Sequence, residues 1–304
     1  GGMARAAGRR SALAGLAVGL AAGLGPRPLP ARASAPPAAP RIAYERAPDR
    51  AGFDPSDRDL ARATEMGERA LAAPTPQAEE AAFTELIEAY GGAEFGGRAW
   101  SGDVLARAHG NRGNVRARLG RFEEALADYD ESIRLAPWAV DPVLNKGATL
   151  ETLRRYDEAE GCYRAILAVQ PKDPAAWNNL GNVQLMRGEW RDAVDSFSEA
   201  VDLAPQFSFV RCNLAIAYYE GGEGDSASER ILTNLLRRYP EFQDARAALA
   251  MMQWAGGQRA EAEDSWTRVE DARYRSLEWL EGERRWPPRL LEAARSFLDL
   301  KSSA

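Results

Sequence analysis

The sequence predicts an all-α fold, a stack of paired antiparallel helices, and three observations predict it. From about Ser101 the chain repeats itself with a period of 34 residues. Small residues recur at Gly113, Gly147, Gly181 and Ala215, and again at Ala125, Ala159, Ala193 and Ala227, each of the second set followed four residues on by a large apolar one: Tyr129, Tyr163, Phe197 and Ile231. Prolines close the units at Pro137, Pro171 and Pro205, and at Pro240 after a one-residue insertion. A fifth unit continues through Ala250, Gly257, Ala262 and Trp266 to about Tyr274.

The elements follow in order. Residues 1–35 have the layout of an export signal: Arg5, Arg9 and Arg10, then an apolar run from Ser11 to Leu24, then small-residue cleavage options at Ala31-Arg32-Ala33 and Ala33-Ser34-Ala35. The run is shorter than the roughly 20 residues that a spanning helix needs. Arg9-Arg10 with Leu13 fits a twin-arginine signal loosely, and an ordinary secretory signal equally. Residues 36–55, rich in Pro, Ala and Arg, read as a disordered linker. Residues 56–100 hold a helical pair: Asp57 is the expected cap, and Leu60, Ala63, Ala70 and Leu71 form one stripe. Ala82, Phe83, Leu86, Ile87 and Tyr90 form the other, Pro74 and Pro76 lie between the two, and glycines at 91, 92, 96 and 97 break the chain after them.

The five repeats occupy 101–274. Each is two helices; the small residue on the first admits the second at close range, and proline ends the second. Gly120, Gly188, Gly222 and Gly257 stand at the intervening turn, where a positive φ favours glycine. Arg154 replaces it once, at a small expected cost. Residues 275–304 form a C-terminal cap, with Leu290, Leu291, Ala294, Phe297 and Leu298 on one helical face. Trp279 and Trp286 precede it, and a minor reading makes them an exposed docking element.

The repeat resembles the tetratricopeptide-repeat family, above all in Ala176-Trp177-Asn178-Asn179-Leu180-Gly181-Asn182 and the following residues to Ala204-Pro205. The resemblance implies a right-handed superhelical solenoid whose concave groove is lined by the first helices. Stacking is obligatory, because one unit cannot bury its apolar face alone. Arg246-Ala247-Ala248-Leu249-Ala250, the stretch from Trp266 to Tyr274 and Glu283-Arg284-Arg285-Trp286-Pro287-Pro288 are similar to a chloroplast tetratricopeptide protein of plants and green algae. That resemblance implies the thylakoid lumen; a bacterial periplasmic protein starting at Met3 stays open.

Asn111, Asn145, Asn179 and Asn213 lie at 34-residue intervals on the first helices, with Asn114, Asn178 and Asn182 close by. An amide both donates and accepts, so a row of them suits the backbone of an extended peptide. The row resembles the asparagine ladder of O-GlcNAc transferases; the same side chains could instead bond within the fold. The groove that clamps the C-terminal carboxylates of heat-shock chaperones is rejected. Asn114 and Asn145 match its asparagines, but Gly110, Ala175 and Asn179 stand where it needs cations.

Chemistry is otherwise sparse. The net charge is −6, and −11 without the first 33 residues, which disfavours nucleic acid and anionic membranes as partners. Cys162 and Cys212 have no metal-ligand spacing and read as core residues, and the single histidine, His109, reads as packing. Phosphate-loop, dinucleotide, zinc-protease and hydrolase-elbow motifs are missing. The expectation is a non-catalytic scaffold or assembly factor. It needs no cofactor or metal, binds a protein or extended peptide rather than a small-molecule substrate, and meets membranes only through a partner. The alternative is a structural subunit docked through Trp279, Trp286 and the convex face.

Overall fold

The computed structural model describes residues 39–50, 53–222 and 225–302. The expected export signal over 1–35 lies outside them. Among the described residues there are fourteen α-helices and no strand. They are α1 (Arg58–Leu71), α2 (Pro76–Tyr90), α3 (Ser101–Arg118), α4 (Phe122–Leu135), α5 (Asp141–Thr152), α6 (Tyr156–Val169) and α7 (Pro174–Met186). Then come α8 (Trp190–Leu203), α9 (Ser208–Gly221), α10 (Asp225–Arg238), α11 (Gln243–Ala255), α12 (Arg259–Thr267), α13 (Leu277–Gly282) and α14 (Pro288–Ser302). The chain forms two compact units that divide between Val210 and Arg211.

In the first unit the glycines at the small repeat position, Gly113, Gly147 and Gly181, each face an aromatic ring of the second helix of their own repeat. A Cβ on Gly113 would come within 2.8 Å of Tyr129, on Gly147 within 2.7 Å of Tyr163, and on Gly181 within 2.8 Å of Phe197. Real Cβ atoms do not approach so closely, so glycine is what lets the ring lie flat on the helix. The turn glycines adopt positive φ, +76° at Gly120 and +78° at Gly188, and Arg154 adopts the same conformation at +58°. Asp57 caps α1 by accepting from the backbone N–H groups of Asp59 and Leu60, and its other oxygen accepts from Trp100 Nε1 at 2.8 Å. Ala63, Ala70, Phe83, Leu86 and Tyr90 join Trp100, Val104, Ala108 and Val115 in one core cluster, so the N-terminal pair packs directly on the first repeat. Leu71, expected on the buried stripe, is exposed instead, because it is the last residue of α1.

The linker expectation is corrected for its described part. Ile42 is buried in the core of the first two repeats, with Leu126, Cys162 and Ile166. Ala43 N–H donates to Pro137 O at 2.8 Å, Gln170 Nε2 donates to the Tyr44 hydroxyl, and Ala39 lies against Gly161. An apolar residue amid Pro and Ala here finds a groove left by the helices and fills it.

In the second unit the tail lies on the repeat helices. Phe297 of α14 meets Trp254 and Trp266 edge-on, each at 5.1 Å, and Leu290, Ala294 and Phe297 are buried. Proline opens α14, and its first free N–H groups are taken by Glu220 of α9. Leu290 N donates to one carboxylate oxygen at 2.7 Å and Arg289 N to the other at 3.0 Å. Burial pushes the Glu220 carboxyl above its ordinary range.

Candidate functional site

In the first unit, one face of α3, the start of α5 and the loop after α4 line an open pocket of about 430 Å³. Asn111, Asn114 and Asn145 line it, together with Arg50, Asp103, Arg107, Trp138 and Asp141. The repeat produces this directly, because first-helix residues one repeat apart come to adjacent places on neighbouring helices. Asn114 Oδ1 accepts twice, from Asn145 Nδ2 at 2.9 Å and from the Tyr129 hydroxyl at 3.0 Å. Those bonds orient the two amides and still leave the Asn114 Nδ2 and the Asn145 Oδ1 for other partners. On α7 the buried Asn178 donates to Asn179 Oδ1 at 3.1 Å, with Asn182 half-buried on the same helix.

Charge is arranged in two layers. At the pocket wall the buried Asp103 carboxylate takes Arg50 on one oxygen and Arg107 on the other, each at 2.5 Å. Elsewhere on α3 and α4, Asp128 is buried between Arg112 at 2.7 Å, Arg116 at 2.9 Å and His109 Nδ1 at 3.1 Å. Burial alone would raise the Asp128 carboxyl; the bonds from His109 and Arg112 and the two guanidinium charges outweigh it and hold it below the usual carboxylate range. The chain's one histidine is therefore part of a structural ion network, not of apolar packing. Among the described residues no group of His, Cys, Asp and Glu could hold a metal ion.

The second unit corrects two expectations. Asn213 is buried, and its Oδ1 accepts from Arg284 Nη2 at 3.1 Å, so the chain's own tail holds it. Trp286, which the minor reading made an exposed docking residue, is 1% exposed and tilted against Tyr274 at 6.1 Å. The reason is local: Arg285 takes a left-handed φ of +55° after α13, and the reversal turns Trp286 into the core. Trp279 remains half-buried, with Tyr274 at 5.1 Å and the Arg273 guanidinium at 5.0 Å. Arg284 is also bidentate on Asp244, at 2.7 and 2.5 Å, and the Tyr274 hydroxyl adds a bond to Asp244 at 3.1 Å.

Sequence reasoning missed Asp103, Trp138, Asp141 and the Asp244–Arg284 pair. Asp141 and Asp244 carried a signal: they occupy one repeat position once the insertion before Pro240 is counted. Asp103 and Arg50 carried none, since their pairing spans more than fifty residues outside the periodic pattern.

Helical pairs of 34 residues with glycine under an aromatic ring define a tetratricopeptide solenoid. Two family models, both described as tetratricopeptide repeat, match residues 144–206 with 212–276 and residues 106–138, together more than half of the chain. The chain belongs to the tetratricopeptide-repeat family. Among curated proteins it is 34% identical over 122 residues to a peroxisomal targeting signal receptor of Eremothecium gossypii, which is 39% of this chain and 21% of that one. It is 32% identical over 124 residues to protein FlbA of Caulobacter vibrioides, 38% of this chain and 21% of the relative. The match to the Hsp70-Hsp90 organizing protein of Triticum aestivum is 27% over 106 residues, 35% of this chain and 18% of that protein. The chain thus spans about a fifth of the length of these relatives. Among solved structures, a tetratricopeptide repeat protein from Parabacteroides merdae superposes with a TM-score of 0.61 at 16% identity, over 81% of this chain and 88% of that one. The anaphase-promoting-complex assembly Cut9–Hcn1 gives 0.58 at 15% identity, over 80% of this chain and 44% of that one. At such identity these two likenesses concern the fold.

Proposed function

We propose that the chain is a non-catalytic interaction scaffold that holds an extended segment of a partner protein along the first helices of repeats one to three. The observation that carries this is the pocket of about 430 Å³, in which Asn111, Asn114 and Asn145 converge with amide groups still free to pair. Asn178, Asn179 and Asn182 on α7 extend the same use; Asn213 leaves it, because Arg284 occupies its oxygen. A preformed, oriented row of amides binds backbone at low ordering cost. Relatives named as a targeting-signal receptor and a chaperone organizer agree with a protein ligand. The alternative, a subunit docked by Trp279 and Trp286, is disfavoured because Trp286 is core.

The test is affinity capture from source membranes with the parent chain and with Asn145→Ala plus Asn179→Ala as baits, both checked for folding by thermal melting. A partner lost by the folded variant supports groove binding; equal capture by both refutes it.

We further propose the thylakoid lumen as the place of action, with a bacterial periplasm as the alternative. The support is the basic start, short apolar run and Ala-x-Ala sites of the first 35 residues, with the plastid resemblance. Import into isolated chloroplasts should yield a shortened product protected from protease inside thylakoids; a product that stays in the stroma would refute it.

A further inference from the structure

This chain carries its own example of a bound groove ligand. Arg284 enters the face of α9 and α11, and three acceptors meet it: both oxygens of Asp244 and the Oδ1 of Asn213. The Asp244 side chain is only 12% exposed and that of Arg284 24%, so the pair is largely shielded from water. Planar two-point recognition of this kind is specific to guanidinium.

The same pair of acceptors occurs a second time. Asn213 lies 102 residues, three repeats, beyond Asn111; Asp244 lies 103 beyond Asp141, the extra residue being the insertion before Pro240. The corresponding places in the intervening units are Ala175 and Phe209, so the Asn–Asp combination is confined to these two grooves. In the second unit the combination is filled by Arg284. In the first, Asn111 and Asp141 both line the open pocket, and Asp141 is exposed. Neither side chain has a hydrogen bond or ion pair with another described residue.

We infer that the pocket of the first unit receives an arginine side chain of the partner segment, its guanidinium paired with Asp141 and with the amide oxygen of Asn111. This rests on the proposed groove binding and names the side-chain chemistry that the groove reads. Trp138 lines the same pocket and offers an aromatic surface, which attracts guanidinium. Arg50 and Arg107 also border it, but both are committed to Asp103 at 2.5 Å, leaving Asp141 as the pocket carboxylate without a cation.

The test uses the full chain and a synthetic probe with the tail sequence Gly-Glu-Arg-Arg-Trp-Pro-Pro (residues 282–288), blocked at both ends, titrated by calorimetry. The parent should bind it. Asp141→Asn, at an exposed first-turn position where the folding cost is no more than about 1 kcal/mol, should weaken it about tenfold, the loss of one charge-assisted contact. A probe with both arginines changed to lysine should weaken similarly. The inference is overturned if the parent does not bind the probe, if Asp141→Asn binds it equally, or if the lysine probe binds as well. Preference for a glutamate-substituted probe would also overturn it and would assign the pocket to Arg50 and Arg107. The captured partner separates this from the broader proposal. If Asp141→Asn retains the partner while Asn145→Ala plus Asn179→Ala loses it, groove binding stands and arginine reading falls. If both variants retain it, the groove reading itself falls.

Discussion

Replacing Arg284 with methionine keeps most of the side-chain volume and removes the guanidinium from a carboxylate that water hardly reaches. Asp244 would retain the Tyr274 hydroxyl at 3.1 Å and the Cys212 thiol at 3.5 Å, but no cation. Breaking a buried pair from one side costs ~3–5 kcal/mol, and the 24% exposure of Arg284 lowers the expectation by about 1 kcal/mol, to about 2–4 kcal/mol at neutral pH. The pH dependence gives a second handle. In the parent, burial pushes the Asp244 carboxyl up, and Arg284, Tyr274 and Cys212 together outweigh it, so the folded value lies below the ordinary one. A lowered carboxyl contributes stability above the unfolded value of about 4 and loses it as pH falls through the folded value. Without Arg284, burial wins and the folded value rises. The variant then gains stability as pH falls through that raised value, because a protonated carboxyl is cheap to bury. The difference between parent and variant is therefore largest near neutrality and shrinks toward about pH 4. Urea titrations followed by circular dichroism at both pH values measure it, with hydrogen exchange in α11 and α14 locating the loss. Adding Asp244→Asn to Arg284→Met should recover much of the cost. A neutral-pH loss below about 1 kcal/mol, or one that does not change with acid, would refute the argument.

Other consequences follow from the packing. Gly181→Ala places a methyl 2.8 Å from the Phe197 ring and should cost ~1–3 kcal/mol in thermal or urea melts, with Phe197→Leu as the compensating change. Arg154→Gly should raise stability by roughly 0.5–1 kcal/mol, since the residue already sits at φ +58°, where a side chain is strained. Ile42→Ala should cost about 2 kcal/mol, whereas a free linker would show no change. Burial pushes the Cys162 thiol up to about 12 and that of Cys212 well above its ordinary value. Neither should react with a maleimide in native protein at about pH 8, where even an unperturbed thiol is only partly ionised, and both should label once urea unfolds the chain; labelling is read by mass spectrometry.

The repeat is legible in the sequence because its causes are local. Glycine under an aromatic ring, proline after the second helix and glycine at a positive-φ turn each act within one unit, and the 34-residue period copies them. The asparagines at 111, 145, 179 and 213 were legible for the same reason, as was the apolar face of α14. Their fates were not. Asn111, Asn114 and Asn145 share a pocket, while Asn213 is closed by Arg284, a residue 71 positions away, and no periodicity encodes a contact made once by a non-repeating tail. Trp279 and Trp286 look alike in the sequence, yet a left-handed residue between them leaves one half-buried and turns the other fully inward. Ile42 lies in a stretch whose composition reads as linker, and it is buried because helices distant in the chain leave a groove of its size. The chain by itself determined the helices, their pairing and their stacking, because those depend on residue type at fixed spacing. Only the tertiary structure decided which groove is open and which is filled, because that depends on where the aperiodic ends come to rest and which charges they bring.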